Sequence, residues 1–184
     1  PVISSAASDV YKRQLLKSMK VRSDYAFFGS IAFAFSTYLI IILGVGHNTK
    51  ALAIGYTPLA LAGFFKILNN RTLSGIVICS VGLGLQINAN HYQMTYYFMM
   101  LMGLILIMST LFEKGDNLKR RFVKIGAFSS SVLIAILLNS SSIMATKEYS
   151  EFSTRGNSEI SINPDGSEKL SLIHISEPTR RVFI

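Results

Sequence analysis

Five long apolar runs separated by short polar turns dominate the residue pattern: Phe27 to Gly46, Ala51 to Leu68, Thr72 to Ala89, Tyr92 to Phe112 and Phe122 to Leu138. Each holds 17 to 21 residues, and about 20 helical residues cross a bilayer core of roughly 30 Å. An amphipathic helix of a soluble core would be shorter and would carry a polar face every 3.6 residues. These runs carry almost none. Leu, Ile, Phe and Val each favour insertion at mid-membrane by about 0.3–0.6 kcal/mol, whereas a central Lys costs about 2.5–3.5 kcal/mol. Lys66 stands close enough to the end of its run for its ammonium to reach the interface. Lipid offers backbone groups no partner, so each run must satisfy its own hydrogen bonds as a helix. The pattern therefore predicts an all-α polytopic membrane protein, with about five transmembrane helices (27–46, 51–68, 72–89, 92–112 and 122–138) inside residues 15–138.

The two ends read differently. Ser4 to Gln14 and Leu170 to Arg180 both read as in-frame translations of the arms of a transposon-type sequencing adapter. Residues 1–14 and 170–184 are accordingly set aside from fold reasoning, as a tag would be. What remains, Leu15 to Lys169, reads as an internal piece of a longer protein. Its last part, 139–169, is expected to open an extracytoplasmic segment, with a polar exit at Asn139 to Ser142 and a turn at Asn163-Pro164-Asp165-Gly166.

Composition agrees with lipid as solvent. Half of the 184 residues are hydrophobic and 15% are charged, against about 25% charged in an ordinary soluble domain. Mean hydropathy is +0.42, which excludes a disordered chain. Once the flanks are set aside, 14 Lys and Arg face 8 Asp and Glu. Ten of those cations (Lys17, Lys20, Arg22, Lys66, Arg71, Lys114, Lys119, Arg120, Arg121 and Lys124) precede the first run or lie at the second-to-third and fourth-to-fifth junctions. Four, Lys50, Lys147, Arg155 and Lys169, belong to the other side. The positive-inside rule assigns the first group to the cytoplasm. Lys119-Arg120-Arg121 beside Phe122 is then a loop facing anionic headgroups rather than a nucleic-acid grip.

This topology gathers the unusual polar residues on the outer side: Gly46-His47-Asn48-Thr49-Lys50, Asn88-Ala89-Asn90-His91-Tyr92-Gln93, and Thr146 to Tyr149 with Ser153-Thr154-Arg155-Gly156. At 100° per residue, Gly75, Cys79, Gly82, Gln86, Asn90 and Gln93 share one sector if the third helix continues through the turn. The small half of that stripe reads as helix packing; Gln86 and Asn90 read equally as packing glue or as a polar wall leading to an outward-facing site. Asn90 is expected to cap the fourth helix with Gln93 reaching back, and Tyr92, Tyr96 and Tyr97 to form an interfacial belt. Lone Cys79 falls at mid-membrane as a packing residue. There is no P-loop, GxGxxG or HExxH, and the two histidines on separate turns lack a carboxylate partner for a metal.

Phe33-Ala34-Phe35-Ser36-Thr37-Tyr38 with Gly46-His47-Asn48-Thr49-Lys50-Ala51, then Leu85 to Tyr97, then Glu148-Tyr149-Ser150 with Ser153-Thr154-Arg155-Gly156, closely resemble the bacterial membrane protein YfhO family in the same order. The resemblance spans almost all of Leu15 to Lys169. It implies part of a bundle similar to the GT-C glycosyltransferases, multi-pass proteins of the bacterial cytoplasmic membrane that take a sugar from a polyprenyl-phosphate carrier on the outer face. It also implies a catalytic acid in an external loop upstream of this piece, and leaves room for a divalent metal in the full-length protein. No cofactor is evident in the residues themselves. On this reading His47 and Lys50 face the carrier phosphate, while Asn90, His91 and Gln93 hydrogen-bond sugar hydroxyls; Asn48, Gln86 and Arg155 complete the candidate substrate-binding set. Two other classes stay open: a transporter or flippase, for which Gly82-x-Gly84 would mark a helix break, and a noncatalytic membrane subunit.

Overall fold

The computed structural model describes residues 2–112 and 117–151, and among these the chain is helical with no strand. The helices are α1 (Val2–Ser18), α2 (Ser23–Ala34), α3 (Thr37–Gly44), α4 (Asn48–Leu68), α5 (Thr72–Asn88), α6 (Tyr92–Phe112), α7 (Leu118–Leu138) and α8 (Ser140–Glu151). Four stretches are long and apolar enough to cross a membrane: Ser23–Gly44, α4, α6 and α7. Apolar α5 has 17 residues and spans only about 25 Å at 1.5 Å per residue. It manages by being enclosed between α4 and α7. The chain divides into two units, Pro1–Ser140 and Ser141–Ile184; in the second the described part is the rest of α8, where Thr146 and Ser150 hydroxyls donate back to the Ser142 and Lys147 carbonyls.

The core of the first unit is the antiparallel hairpin of α4 and α5, and glycine makes it possible. A Cβ on Gly63 would stand 2.2 Å from the Cys79 backbone nitrogen, one on Gly82 would stand 2.5 Å from that of Ala60, and one on Gly75 would strike Ile67. Without side chains there, the two backbones approach as far as van der Waals radii allow, which is how helices associate where lipid removes the hydrophobic incentive. The same register brings the Gln86 amide to donate to Thr57 Oγ1 at 3.2 Å. More than half of the α4 window, 56%, is buried, against 22% for α6. The α6 face carrying Tyr96, Tyr97, Met100, Leu104, Ile107 and Leu111 is exposed, the surface a bilayer would cover.

Helix α7 runs alongside α5 in the same direction. Ser131 on α7 is in hydrogen-bond contact with Cys79 on α5, and further out the buried Asn139 amide donates to both the Gly84 carbonyl (3.1 Å) and the Ala135 carbonyl (2.9 Å). Phe128 meets Phe64 of α4 edge-on with centroids 5.2 Å apart. Hydroxyls of Ser30, Thr57, Ser80, Thr110 and Ser131 donate to carbonyls three or four residues back in their own helices, so these side chains enter an apolar interior without orphaned donors. At the other end of the hairpin, Asn69 donates to the Ser18 carbonyl at 3.1 Å, tying the α1–α2 turn to the α4–α5 turn.

Three sequence expectations are corrected here. The run 27–46 is not one helix: it breaks at Phe35–Ser36, where Ser36 is extended (ψ 135°) and its carbonyl accepts the Ile40 N–H to begin α3. The Ser36 side chain makes no capping bond; its extended backbone is what interrupts the helical ladder, and hydropathy alone does not register one such residue in an apolar run. By contrast, α5 is continuous through Gly82-x-Gly84, the place where a break was considered. Helix α7 begins at Leu118, four residues before the predicted start, so Lys119, Arg120 and Arg121 are helical and continue into Lys124. The polar exit after Leu138 is a single junction, Asn139, followed by α8. Residues 2–14, set aside as adapter, belong to α1, which packs on α4 and α2. The 170–184 flank and the Asn163 to Gly166 turn lie outside the described residues.

Candidate functional site

The candidate residues lie where α3 gives way to α4 and where α5 gives way to α6. Both reversals use a left-handed residue to end the helix. Gly46 has φ +83°, and the His47 N–H returns to the Ile42 carbonyl at 2.9 Å; Asn90 has φ +57°, with its N–H on the Ile87 carbonyl at 3.0 Å. Asparagine tolerates this conformation better than most residues because its short amide adds little clash. Asn90 therefore terminates α5 and does not cap α6, contrary to the capping-box expectation. The residue before α6 is His91, whose carbonyl accepts the Met94 and Thr95 N–H groups.

That reversal also dissolves the six-residue stripe. Helix α5 stops at Asn88, so Asn90 and Gln93 leave the sector and are exposed, while Gly75, Cys79, Gly82 and Gln86 remain buried. The surviving four form the packing face toward α4. Gln86 is only 1% exposed; its amide nitrogen binds Thr57 and its Oε1 is buried without a partner. It is an interior residue between two helices.

The register of the hairpin decides what comes together. With Gly82 against Ala60 and Gln86 against Thr57, the last turn of α5 lies beside Ile54 to Thr57, so the α5–α6 turn comes level with the start of α4. His47, Asn48 and Lys50 thus share one end of the bundle with Asn90, His91 and Gln93. His47, Asn48, Asn90 and Gln93 are exposed, and Lys50 and His91 are half-buried. The Lys50 ammonium sits over the Tyr38 ring, 5.3 Å from its centroid, and this contact holds the cation at the surface of α3. His91 Nδ1 is buried with no hydrogen-bond partner. Arg155 lies outside the described residues.

The end so formed offers donors and acceptors for an uncharged polar ligand, one cation and two imidazoles. The stretches Gly46 to Lys50 and Asn88 to Gln93 contain no carboxylate, and no group of three His, Cys, Asp or Glu able to hold a metal occurs among the described residues. The sequence pattern places Asn139 in a polar exit and misses its role as the amide that clamps α7 to α5; the signal was an Asn directly after an apolar run, the position where a helix end can turn an amide inward. It also passed over Thr57, which receives the Gln86 amide. Comparison with protein-family models, with curated proteins and with solved structures gives no match.

Proposed function

We propose that this chain is part of a YfhO-like multi-pass protein of the bacterial cytoplasmic membrane that transfers a sugar from a polyprenyl-phosphate carrier to an extracytoplasmic glycan or glycopolymer. The observation that carries this reading is the clustering of both imidazoles, His47 and His91, with Asn48, Asn90, Gln93 and Lys50 at the Asn48 and Asn88 end of the α4–α5 hairpin, while the other end, at Lys66 and Asn69 to Arg71, holds no imidazole. In this reading the amide end faces outward. Lys50 supplies a point charge and His47 a donor to the carrier phosphate; Asn48, Asn90, His91 and Gln93 read sugar hydroxyls, with His91 Nδ1 as the acceptor waiting for a hydroxyl proton. Gln86 serves by holding α5 on α4 beneath the site, and the catalytic acid belongs to another part of the protein. Arg155 stays in the candidate substrate-binding set.

A transporter or flippase is the second reading, favoured by the break at Phe35–Ser36, since interrupted spanning helices mark solute sites in transporters. The test is turnover of polyprenyl-phosphate sugar by the full-length protein in proteoliposomes. Lys50→Ala and His91→Ala are each expected to cut transfer by about tenfold, the effect of losing one charged or buried hydrogen bond. Unchanged transfer in both removes them from the site; uptake or flipping of the carrier without transfer replaces the reading with transport.

A further inference from the structure

Helix α3 has only eight residues and lies between two interruptions. At its start Ser36 is extended, with ψ 135°, and past its end Gly46 has φ +83°. One face, Leu39 and Ile42, packs on Ala51 of α4 in a small cluster with Phe33, Leu43 and Ile54; Ile40 and Ile41 on the other side are exposed. A second tie to α4 is the Lys50 ammonium, 5.3 Å from the centroid of the half-exposed Tyr38 ring. Lys50 belongs to the first turn of α4, which holds no acidic residue and is preceded by His47, whose side chain makes no capping bond. A cation there faces the positive end of the helix dipole, and among the described residues Lys50 makes no ion pair. The electron-rich face of Tyr38 is its compensating partner. Because Tyr38 opens α3 and the Gly46 turn follows its close, the ammonium reaches back along α3, away from the turn that carries His47.

We propose that the Lys50–Tyr38 contact is a latch on the candidate site: it clips α3 to α4 and withholds the ammonium, and the phosphate of a polyprenyl-phosphate lipid opens it by drawing Lys50 off the ring. This inference rests on the carrier-phosphate role given to Lys50 above. The exchange favours the phosphate, because a charge-assisted hydrogen bond outweighs a cation–π contact at a half-exposed ring and the anion also offsets the dipole. With Lys50 withdrawn, α3 keeps its Leu39 and Ile42 face on α4, and the interruptions at Ser36 and Gly46 are the hinges about which it moves.

The test measures binding of polyprenyl phosphate to the whole chain in phosphatidylcholine nanodiscs, with α3 followed by a spin label on Ile41→Cys in a Cys79→Ser background. In the parent chain the lipid is expected to bind and to mobilise the label. Because the contact competes with the ligand, Tyr38→Leu is expected to tighten binding about threefold and to free the label before any lipid is added; a tyrosine that only positioned Lys50 would give weaker binding on removal. Tyr38→Phe keeps the ring face and is expected to follow the parent chain. Lys50→Gln is expected to weaken binding about tenfold. Tyr38 is half exposed, so its variants disturb no buried packing. Unchanged or weaker binding in Tyr38→Leu, or a parent-chain label that the lipid does not mobilise, overturns the latch and leaves the carrier reading standing. Binding unaffected in Lys50→Gln, or absent from every variant, overturns both. Mobilisation by inorganic phosphate alone overturns the lipid trigger in favour of a free anion.

Discussion

At the scale of single residues, the structure separates glycines that look alike in sequence. Gly63 and Gly82 face backbone atoms of the partner helix, whereas Gly103 on α6 and Gly126 on α7 have nothing within 4 Å of a would-be Cβ. Gly63→Ala and Gly82→Ala are therefore expected to force α4 and α5 apart at a cost of about 1–3 kcal/mol. Gly103→Ala is expected to be neutral or to stabilise by up to about 1 kcal/mol through helix propensity. Thermal unfolding in detergent, followed by circular dichroism, distinguishes the two; similar midpoints for all three variants would refute the close hairpin. The sequence showed that small residues recur on one face of the third run, and so named Gly75, Cys79 and Gly82 as packing. It could not show that Asn90 leaves that face, because a single left-handed residue rotates everything after it.

At the scale of elements, hydropathy located spans better than it located their ends. Helix α6 coincides with its predicted run, and α4 and α5 differ by three residues or fewer at each end. The first run is interrupted, and the fifth begins a turn early, because a helix end is set by local hydrogen bonds that average hydropathy does not see. Helix α1 raises a separate question. Its residues 9–14 include Asp9, Lys12 and Arg13, with the two cations resting over Phe33 (5.0 Å) and Phe27 (6.0 Å). Leu15 is the fully buried residue among those of α1 whose side chains are described, and it lies beyond the stretch read as adapter. Deleting residues 1–14 is thus expected to shift the unfolding midpoint by less than about 4 °C, roughly 1 kcal/mol for a chain of this size. A larger fall would make the stretch a working part of the bundle.

At the scale of the whole molecule, the hairpin register puts the two histidine-bearing turns, at His47 and His91, at one end and the Asn69–Arg71 turn at the other. If the chain threads a bilayer as its apolar runs require, these ends face opposite compartments. In a Cys79→Ser background, a cysteine at position 91 is expected to react with an impermeant maleimide from outside intact cells and one at position 120 only after permeabilisation. Reaction of both from one side would reject the topology, and solubility of the purified chain without detergent would reject the bilayer itself.

Transfer free energy is additive along a chain, and that is why the sequence by itself determined the solvent, the helical class and the approximate spans: enough Leu, Ile, Phe and Val in a row outweigh any one exception. Packing is not additive. Whether Gln86 lines a site or lies between helices depended on Thr57, 29 positions away, and whether Asn139 is a polar exit or a clamp depended on the Gly84 carbonyl, 55 positions away. Only the tertiary structure could decide such cases, because an amide in an apolar interior takes its meaning from the partner it reaches.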